Sequence, residues 1–575
     1  MISRLLKISF SLITAVFIYT SAEACTNVLV SKGASADGSI MITYAADSHA
    51  LYGEVYFHPA GMFPKDAMLD VVNWDNGKYI GQISQIRNTY QTVGNMNEHQ
   101  VMITETTYGG RSELEDPDGG IDYGGLIYIT LQRAKTAREA IQIIADLANE
   151  YGYASEGESF SVGDKNEAWI MELIGKGSNK NRKGINTRKG IVWAAAKVPD
   201  GYICAHANQA RINHIDFSDK NHENWMWAED VVDFAREMKY FKGKDEDFSF
   251  CDSYAPLTFG GARGCEARVW SAFNILGEGV IGGKDANEYL DYAMGYNLKN
   301  KMPLFTKPAQ KVTLKALSNV MRDHYEGTPM DMTKDVGAGG HQCPYRWRPM
   351  GFKVDGNTYV QERAIATQQT GFWILCQARN WLPDEIGGIL WFGVDDAATS
   401  ALTPIYTSCT RTPVCLREGN GNMVTYSPTS LFWLSNRIAQ FAYLMYNRVQ
   451  PVVRAHADAH ELKCIEEVKD IDANALKMYK VGEEPNMELR RYLTNYSCKA
   501  ANELFQDWSN LNNFLLVKFM DGNIKYQNED GSFTTNGNTN VIPKFPAQPG
   551  YTKEWYERIA KDHGKTLMVP TSDKN

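Results

Sequence analysis

The sequence lacks the features expected of a nucleic-acid-binding protein, a zinc ribbon or a membrane-spanning protein. Its 68 acidic side chains outnumber the 59 Lys and Arg, which gives a formal net charge of −9 and no domain-wide positive field for phosphate groups. None of the 10 cysteines forms a CxxC pair, so the spacing gives no support for structural zinc. Beyond residue 24, no uninterrupted apolar run approaches about eighteen residues. We therefore expect no nucleic-acid partner and no stable membrane span.

The first 24 residues have the pattern of a secretory signal peptide. A positively charged start is followed by an apolar stretch over 8–19 and by the A-x-A cleavage pattern of Ala22 and Ala24. Cleavage at this point would make Cys25 the first residue of the mature chain. We expect export to the periplasm or beyond.

An oxidising compartment would permit disulfide bonds. Two pairs are close enough in sequence to be joined, Cys251 with Cys265 and Cys409 with Cys415. Spacing alone does not set the connectivity. If Cys25 stays free as a reactive thiol, an odd number of cysteines remains for pairing.

Residues 25–430 mix strand and helix patterns. Short β-branched and apolar runs predict strands at 26–30, 39–44, 101–106, 168–173, 191–198 and 202–207. The first two flank a turn at 33–38 and predict a hairpin. Apolar residues at helical spacing predict one helix over 126–151, and more strands follow within 365–393. This mixture is typical of layered α and β folds.

The pattern changes to long helices after Leu431. Helical periodicity runs to about residue 479 and again over 487–520, which predicts an antiparallel helical pair packed on the core over 431–520. The tail, 521–575, is rich in loop-forming residues and contains a short predicted helix. We expect a core, a helical region and a tail, and homo-oligomerisation remains open.

Cys25 is the main candidate for a catalytic nucleophile. A thiol at a mature N-terminus has its own α-amino group within reach, and an unperturbed α-amino pKa of about 8 lets a neutral fraction act as general base. One residue then supplies both nucleophile and base. The alternative is the lipid-attachment cysteine of a lipoprotein. Against it, Glu23 stands where a lipobox needs a small residue, and no Leu lies three residues before Cys25.

The residues around Cys25 resemble a known enzyme family. The opening Cys-Thr-Asn-Val-Leu-Val at 25–30, followed by Ala-Ser-Ala-Asp-Gly-Ser at 34–39, is similar to the start of the cysteine dipeptidases among the N-terminal-nucleophile (Ntn) hydrolases, the dipeptidase A and secernin group. Further similar pieces follow in order at 97–106, 167–172, 192–200, 207–212 and 377–383. The resemblance therefore covers about 25–410.

This resemblance implies an α+β fold of the αββα sandwich type, with the C-terminal helices added. It also implies hydrolysis of dipeptides or small peptide amides through an acyl-enzyme, without metal or organic cofactor. An amidase on the same fold, acting on N-acyl amino acids, bile-acid conjugates or lactams, is the nearest alternative. A non-catalytic, lipid-anchored binding protein is an alternative of another class.

The resemblance also assigns site residues. Asp47 matches the aspartate that contacts the nucleophile's amino group, and Asn208 matches the asparagine that donates to the oxyanion. Arg268 matches an arginine beside the nucleophile, with Arg263 as rival. Each has a plainer explanation: Asp47 as a turn residue, Asn208 as a buried amide, and Arg268 as a surface ion pair.

Three further residues complete the candidate site. Glu105 and Thr106 end a strand that runs toward the site, where the backbone could complete an oxyanion hole. Tyr44 marks a departure from the family, whose members carry Arg three residues before the Asp. A guanidinium there would favour the thiolate by its charge, and Tyr44 cannot. This difference leaves substrate specificity, and even activity, open.

One other motif has histidines at a spacing that metal sites use. His456, Asp458 and His460 form an H-x-D-x-H string whose histidines share a helix face. The surrounding sequence favours a solvated helix face instead, so we expect no metal.

Overall fold

The computed structural model describes residues 25–482, 485–537 and 541–570. The predicted signal peptide, residues 1–24, lies outside the described residues. Within the described ranges the protein combines two large antiparallel sheets with helices, so the predicted mixture of α and β structure is confirmed. No helix of the described ranges is long and apolar enough to cross a bilayer.

The strands of the described residues are numbered in chain order. They are β1 Asn27–Val30, β2 Ile40–Asp47, β3 Phe57–His58, β4 Gly61–Met62, β5 Met68–Val72, β6 Tyr79–Ser84, β7 Asn88–Thr89, β8 Thr92–Val93, β9 Met96–Asn97, β10 Met102–Tyr108, β11 Gly157–Gly163 and β12 Ala168–Gly175. Then follow β13 Ile191–Lys197, β14 Ile203–His206, β15 Trp225–Trp227, β16 Val280–Ile281, β17 Lys284–Asp285, β18 Phe305–Thr306, β19 Gly351–Val354, β20 Asn357–Val360, β21 Thr370–Ala378, β22 Gly388–Val394 and β23 Thr403–Tyr406.

The helices are numbered in the same way. They are α1 Tyr123–Leu131, α2 Ala137–Tyr151, α3 Val231–Glu237, α4 Phe250–Tyr254, α5 Phe259–Gly261, α6 Ala267–Leu276, α7 Leu290–Ala293, α8 Leu314–Val320, α9 Asp384–Gly387, α10 Leu431–Leu444, α11 Tyr446–Met478, α12 Met487–Phe519 and α13 Lys553–His563.

The first sheet is built around the predicted hairpin. Its strand order is β18-β14-β1-β2-β21-β22-β23, and β1 pairs with β2 through Leu29 opposite Ile42. An isolated bridge between Thr26 and Ala45 extends this pairing toward Cys25. The second sheet has the order β15-β13-β12-β11-β10-β9-β8-β3. The pairing of β1 with β2 therefore brings Cys25 close to the end of β2, where Asp47 lies.

Three apolar cores separate the layers. Alternate residues of the first sheet, such as Leu29 and Ile42, pack against residues of the second sheet such as Ile170. Neighbours on the opposite face of the first sheet, with Val28 among them, pack against α6 and α8. The outer face of the second sheet, with Trp169 among its residues, packs against α1 and α2. Both faces of each sheet are buried, which explains why the strands appear in the sequence as nearly continuous apolar runs.

Two predicted helices are each divided in the structure. The helix predicted over 126–151 is interrupted between Leu131 and Ala137, because Thr136 adopts an extended conformation and its side chain accepts from the amide of Glu139. The long helix predicted after Leu431 breaks at Met445, which has non-helical φ and ψ. Apolar residues continue at both breaks, so hydrophobic periodicity alone did not reveal them.

The C-terminal helices pack on the first sheet. Helix α12 contacts α10, α11 and β23. The buried Glu461 of α11 forms ion pairs with Arg322 and Lys315 and accepts from the amide of Leu402. This cluster joins α11 to the core through charge-assisted hydrogen bonds.

All 10 cysteines lie within the described ranges, and none of them forms a disulfide bond in the structure. The pairs that are close in sequence, Cys251 with Cys265 and Cys409 with Cys415, are therefore not joined there. The predicted division at 430 and 520 stays a prediction.

We expect Glu461→Gln to lower the free energy of unfolding at pH 7 by about 3 to 5 kcal/mol, because it leaves Arg322 buried without its counter-charge. Burial alone would raise the pKa of Glu461, but Arg322 and Lys315 lower it to about 2. The carboxylate's contribution is therefore complete above the ordinary glutamate pKa and is lost as the pH falls toward 2. Urea unfolding at several pH values measures both effects.

Glu466→Gln is the matched control, since Glu466 lies on the same helix and its side chain is 70% exposed. We expect it to change the free energy of unfolding by less than about 0.5 kcal/mol. Equal effects of the two substitutions would refute the role given to the buried cluster.

Candidate active site

The thiol of Cys25 lies beside a tyrosine and a glutamate. Sγ is 3.3 Å from Oε1 of Glu105 and 3.8 Å from Oη of Tyr44. Tyr44 also donates to the same Glu105 oxygen at 2.5 Å. Cys25 precedes β1, Tyr44 lies on β2 and Glu105 on β10, so both sheets contribute to the cluster. All three side chains are buried.

Arg268 holds the backbone of Cys25. From α6 its guanidinium donates to the carbonyl oxygen of Cys25 at 2.5 Å, to Oγ1 of Thr26 at 2.8 Å and to Oδ1 of Asn208 at 2.9 Å. Arg268 is fully buried, which excludes the alternative of a surface ion pair. The rival, Arg263, is paired with Glu362 instead.

Asp47 is buried at the end of β2. Its carboxylate accepts from Nη2 of Arg363 at 3.0 Å and from Oγ1 of Thr370 at 2.6 Å. Burial raises the pKa of Asp47 to about 6, although Arg363, Thr370 and Arg268 each act to lower it. The group therefore changes its charge near neutral pH.

Arg363 and Arg348 are two of the site residues that sequence reasoning missed. Both act electrostatically on Asp47. Burial and the nearby Arg268 lower the pKa of Arg363 to about 9. Positive charge is thus present beside Asp47 although Tyr44 stands where the resemblance leads one to expect an arginine. No sequence signal pointed to Arg363, since it lies 316 residues beyond its partner.

Asn208 follows β14 in a left-handed conformation, with φ of 54°. Its Nδ2 donates to the carbonyl of Thr107 at 2.6 Å while its Oδ1 accepts from Arg268. The amide thus links the end of β14 to β10 of the other sheet. Its predicted role as an oxyanion donor stays a prediction.

Thr106 and Glu105 point to opposite faces of β10, as neighbours in a strand do. Oγ1 of Thr106 lies 2.7 Å from Nδ1 of His206, whose Nε2 lies 2.7 Å from Oγ of Ser161. Burial lowers the pKa of His206 to about 3, so its ring is neutral. Of the two predicted residues, Glu105 is the one whose side chain lies beside Cys25.

Glu105 has a second carboxyl group next to it. Glu158 on β11 is diagonal to Glu105 on the same face, and it accepts from Oγ1 of Thr107 at 2.9 Å. Oε2 of Glu105 and Oε1 of Glu158 are buried and have no other hydrogen-bond partner. Burial raises the pKa of both groups, and that of Glu158 further because of Glu105. The two carboxyl groups therefore titrate as a coupled pair, and their proximity disfavours ionisation of both.

A cavity of about 90 Å³ opens beside the thiol. Cys25, Tyr44, Asp47 and Glu105 all line it, together with aromatic side chains from α1, from β21 and from the loop between β5 and β6. Asn208 and Arg268 hold the other side of Cys25. The structure thus places Cys25, Tyr44, Asp47 and Glu105 around one cavity, with the remaining predicted residues behind them.

The H-x-D-x-H string lies away from this cavity, in α11. His456 is 2.9 Å from a carboxylate oxygen of Asp507, and Asp458 pairs with Lys315 and Arg454. His460 is buried, so the predicted solvated face is wrong at that position. Among the described residues, no three His, Cys, Asp or Glu side chains are grouped to hold a metal.

Comparison with known proteins identifies the family of the chain. Residues 24–459 match the model of peptidase family C69, and the chain belongs to that family. A probable dipeptidase of Latilactobacillus sakei is 26% identical over 444 residues, which cover 74% of this chain and 82% of the relative. Dipeptidase A of Lactobacillus helveticus is 23% identical over 483 residues, covering 79% and 90%. A probable dipeptidase of Salmonella dublin is 25% identical, covering 67% and 81%.

We expect the acid limb of kcat/KM for peptide hydrolysis to lie near pH 6, where Asp47 loses its charge. Thr370→Val removes the hydroxyl donor, so the pKa of Asp47 should rise and the limb should move up by about one pH unit. Thr370→Ser keeps the hydroxyl and should leave the limb in place. A pH–rate profile of the three proteins is the measurement, and identical limbs in all three would refute the role of this bond.

Proposed function

We propose that the protein is a cysteine-type N-terminal-nucleophile dipeptidase with Cys25 as its nucleophile. Membership of peptidase family C69 and relatives named dipeptidases support the substrate class. The observation that carries the mechanism is the placement of the Cys25 thiol in the cavity wall with its backbone carbonyl held by Arg268. A nucleophile fixed in this way loses little entropy on reaching the attacking geometry.

In the proposed reaction, Sγ of Cys25 attacks the peptide carbonyl carbon and its proton passes to the α-amino group of the same residue. The C–N bond then breaks, and the amine takes that proton as it leaves the acyl-enzyme. Water attacks the thioester, and the free acid and the thiol are regenerated. Asp47 orients the α-amino group, and Asn208 donates to the oxyanion.

The order of the layers supports an Ntn-hydrolase sandwich. Helices α1 and α2 cover the outer face of the second sheet, while α6 and α8 cover the outer face of the first. The two sheets face each other between them. This helix–sheet–sheet–helix order is what the proposed αββα fold requires.

The proposal includes activation by removal of residues 1–24 during export. The family match starts at residue 24, next to Cys25, which supports a separate function for the preceding segment. Cleavage would free the α-amino group that the mechanism uses. Lipid attachment at Cys25 would block both the thiol and that amine, so a lipid-anchored binding protein is incompatible with this mechanism.

We expect the mature protein from an exporting host to begin Cys-Thr-Asn-Val. Its intact mass should equal that of residues 25–575 without any addition at Cys25. Intact mass spectrometry with N-terminal sequencing makes the measurement. A lipid-bearing Cys25, or a chain that starts elsewhere, would be incompatible with the proposed mechanism.

We expect Cys25→Ala to lower kcat/KM for dipeptides by at least about a thousandfold, because both thiol steps are lost. Cys498→Ala, at a partly exposed thiol on α12, is the matched control and should keep full activity. Rapid quenching of the wild-type reaction should also trap an acyl group on Cys25, visible by peptide mass mapping. Full activity of Cys25→Ala would sink the proposal.

A further inference from the structure

The cavity beside Cys25 is lined by carboxylates and aromatic rings. Its charged lining residues are Asp47, Asp75 and Glu105, and none of the described residues that line it is Lys, Arg or His. The carboxylate of Asp47 is paired with Arg363, which leaves Asp75 and Glu105 as the acidic groups that face the cavity. The electrostatic character of the cavity is therefore negative.

Glu105 lies at the inner end of this cavity. It is buried, and its Oε1 is the atom closest to the Cys25 thiol in their contact. Glu158 lies beside it, and burial together with this second carboxyl group raises the pKa of the pair, because a negative charge is disfavoured there. A buried negative charge without a cation beside it is costly, and a bound cation would offset that cost.

Asp75 stands at the outer end. It lies on the exposed turn between β5 and β6, and Oη of Tyr123 on α1 donates to its Oδ1 at 2.6 Å. The neighbouring Trp74 stacks on Tyr128 of α1 with ring centroids 4.7 Å apart. Tyr123 thus fixes the direction of the Asp75 carboxylate while the two stacked rings form the adjacent wall.

Aromatic faces and carboxylates suit the same kind of ligand. The π face of a Trp or Tyr ring attracts a cation, and a carboxylate accepts its N–H groups. A substrate carboxylate or a neutral acyl chain would gain neither interaction and would be repelled or left beside unpaired charge. An ammonium group is the ligand whose chemistry matches these walls.

We propose that this cavity binds the α-ammonium group of the substrate's N-terminal residue, between Glu105 and Asp75. The inference rests on the proposed function, because it assigns this ammonium to the acyl half of a dipeptide. In an amino acid the α-nitrogen is roughly 2.5 Å from the carbonyl carbon. Since Oε1 of Glu105 is 3.3 Å from Sγ of Cys25, an ammonium bonded to Glu105 leaves that carbon within reach of the thiol.

The α-ammonium fits this geometry better than a side-chain ammonium. A lysine ammonium is separated from the reacting carbonyl by a chain of several methylene groups, which could not be accommodated between Glu105 and a thiol 3.3 Å away. The subsite therefore selects for a free N-terminus whatever the first side chain is. It also disfavours N-acyl substrates, which carry no charge at that nitrogen.

The test compares an alanyl peptide with its propionyl analogue, which lacks only the amino group. Binding is measured by calorimetry on the Cys25→Ala variant, and hydrolysis on the protein with Cys25 intact. We expect the alanyl peptide to bind at least about tenfold more tightly. Asp75→Asn should weaken alanyl binding about tenfold and leave propionyl binding unchanged. Asp70→Asn, an exposed carboxylate on β5 of the same hairpin, is the matched control and should change neither.

The outcomes separate this inference from the proposed function. Equal binding of the alanyl and propionyl peptides, or equal weakening of both by Asp75→Asn, would overturn the ammonium subsite. Selective alanyl binding without hydrolysis by the protein with Cys25 intact would support the subsite and refute the dipeptidase. Hydrolysis of both peptides at the same kcat/KM would support thiol catalysis and refute the subsite.

Discussion

The guanidinium of Arg268 joins three separate parts of the chain at the start of β1. It donates to the carbonyl of Cys25, to the hydroxyl of Thr26 and to the side chain of Asn208, which in turn donates to the backbone of β10. A buried guanidinium is tolerated only where its donors are satisfied, so these bonds also hold the start of α6 and the residues after β14 beside Cys25. The position of the thiol relative to both sheets depends on this one side chain.

Charge is distributed unequally on the two sides of Cys25. Arg268, Arg348 and Arg363 act on Asp47 on one side, while Glu105 and Glu158 form the acidic pair on the other. In the proposed mechanism the α-amino group of a mature Cys25 contacts Asp47, and the positive neighbours of Asp47 would favour the neutral, basic form of that amine. Asp47 and Glu105 both line the cavity, so its wall contains one carboxylate with arginines beside it and one with a second carboxyl group beside it.

The sequence alone was enough to predict the elements whose hydrophobic pattern is regular and the site residues that are close to Cys25 in the chain. The β1–β2 hairpin and the proximity of Asp47 follow from a short segment, and Arg268 followed from the resemblance. The partners of Asp47 and Glu105 could not be predicted, because periodicity does not encode which strands pair. Arg363 lies between β20 and β21, and β21 pairs with β2, while Glu158 lies on β11, which pairs with β10. The helix break at Met445 was equally hidden, since apolar residues continue through it.

Tyr44 links these two sides of the site. An arginine at this position would pair with Glu105, neutralise it, and leave the cavity without an acceptor for a cation. A tyrosine hydroxyl donates to the same oxygen and brings no charge, so it fixes the direction of Glu105 without supplying a counter-charge. Arg363 already supplies positive charge to Asp47. A tyrosine instead of an arginine at position 44 therefore removes a positive charge only beside Glu105, where the substrate is proposed to bind. In the proposed subsite, Tyr44 therefore leaves Glu105 available for a cation of the substrate, which a peptide with a free N-terminus supplies and an N-acyl amide does not.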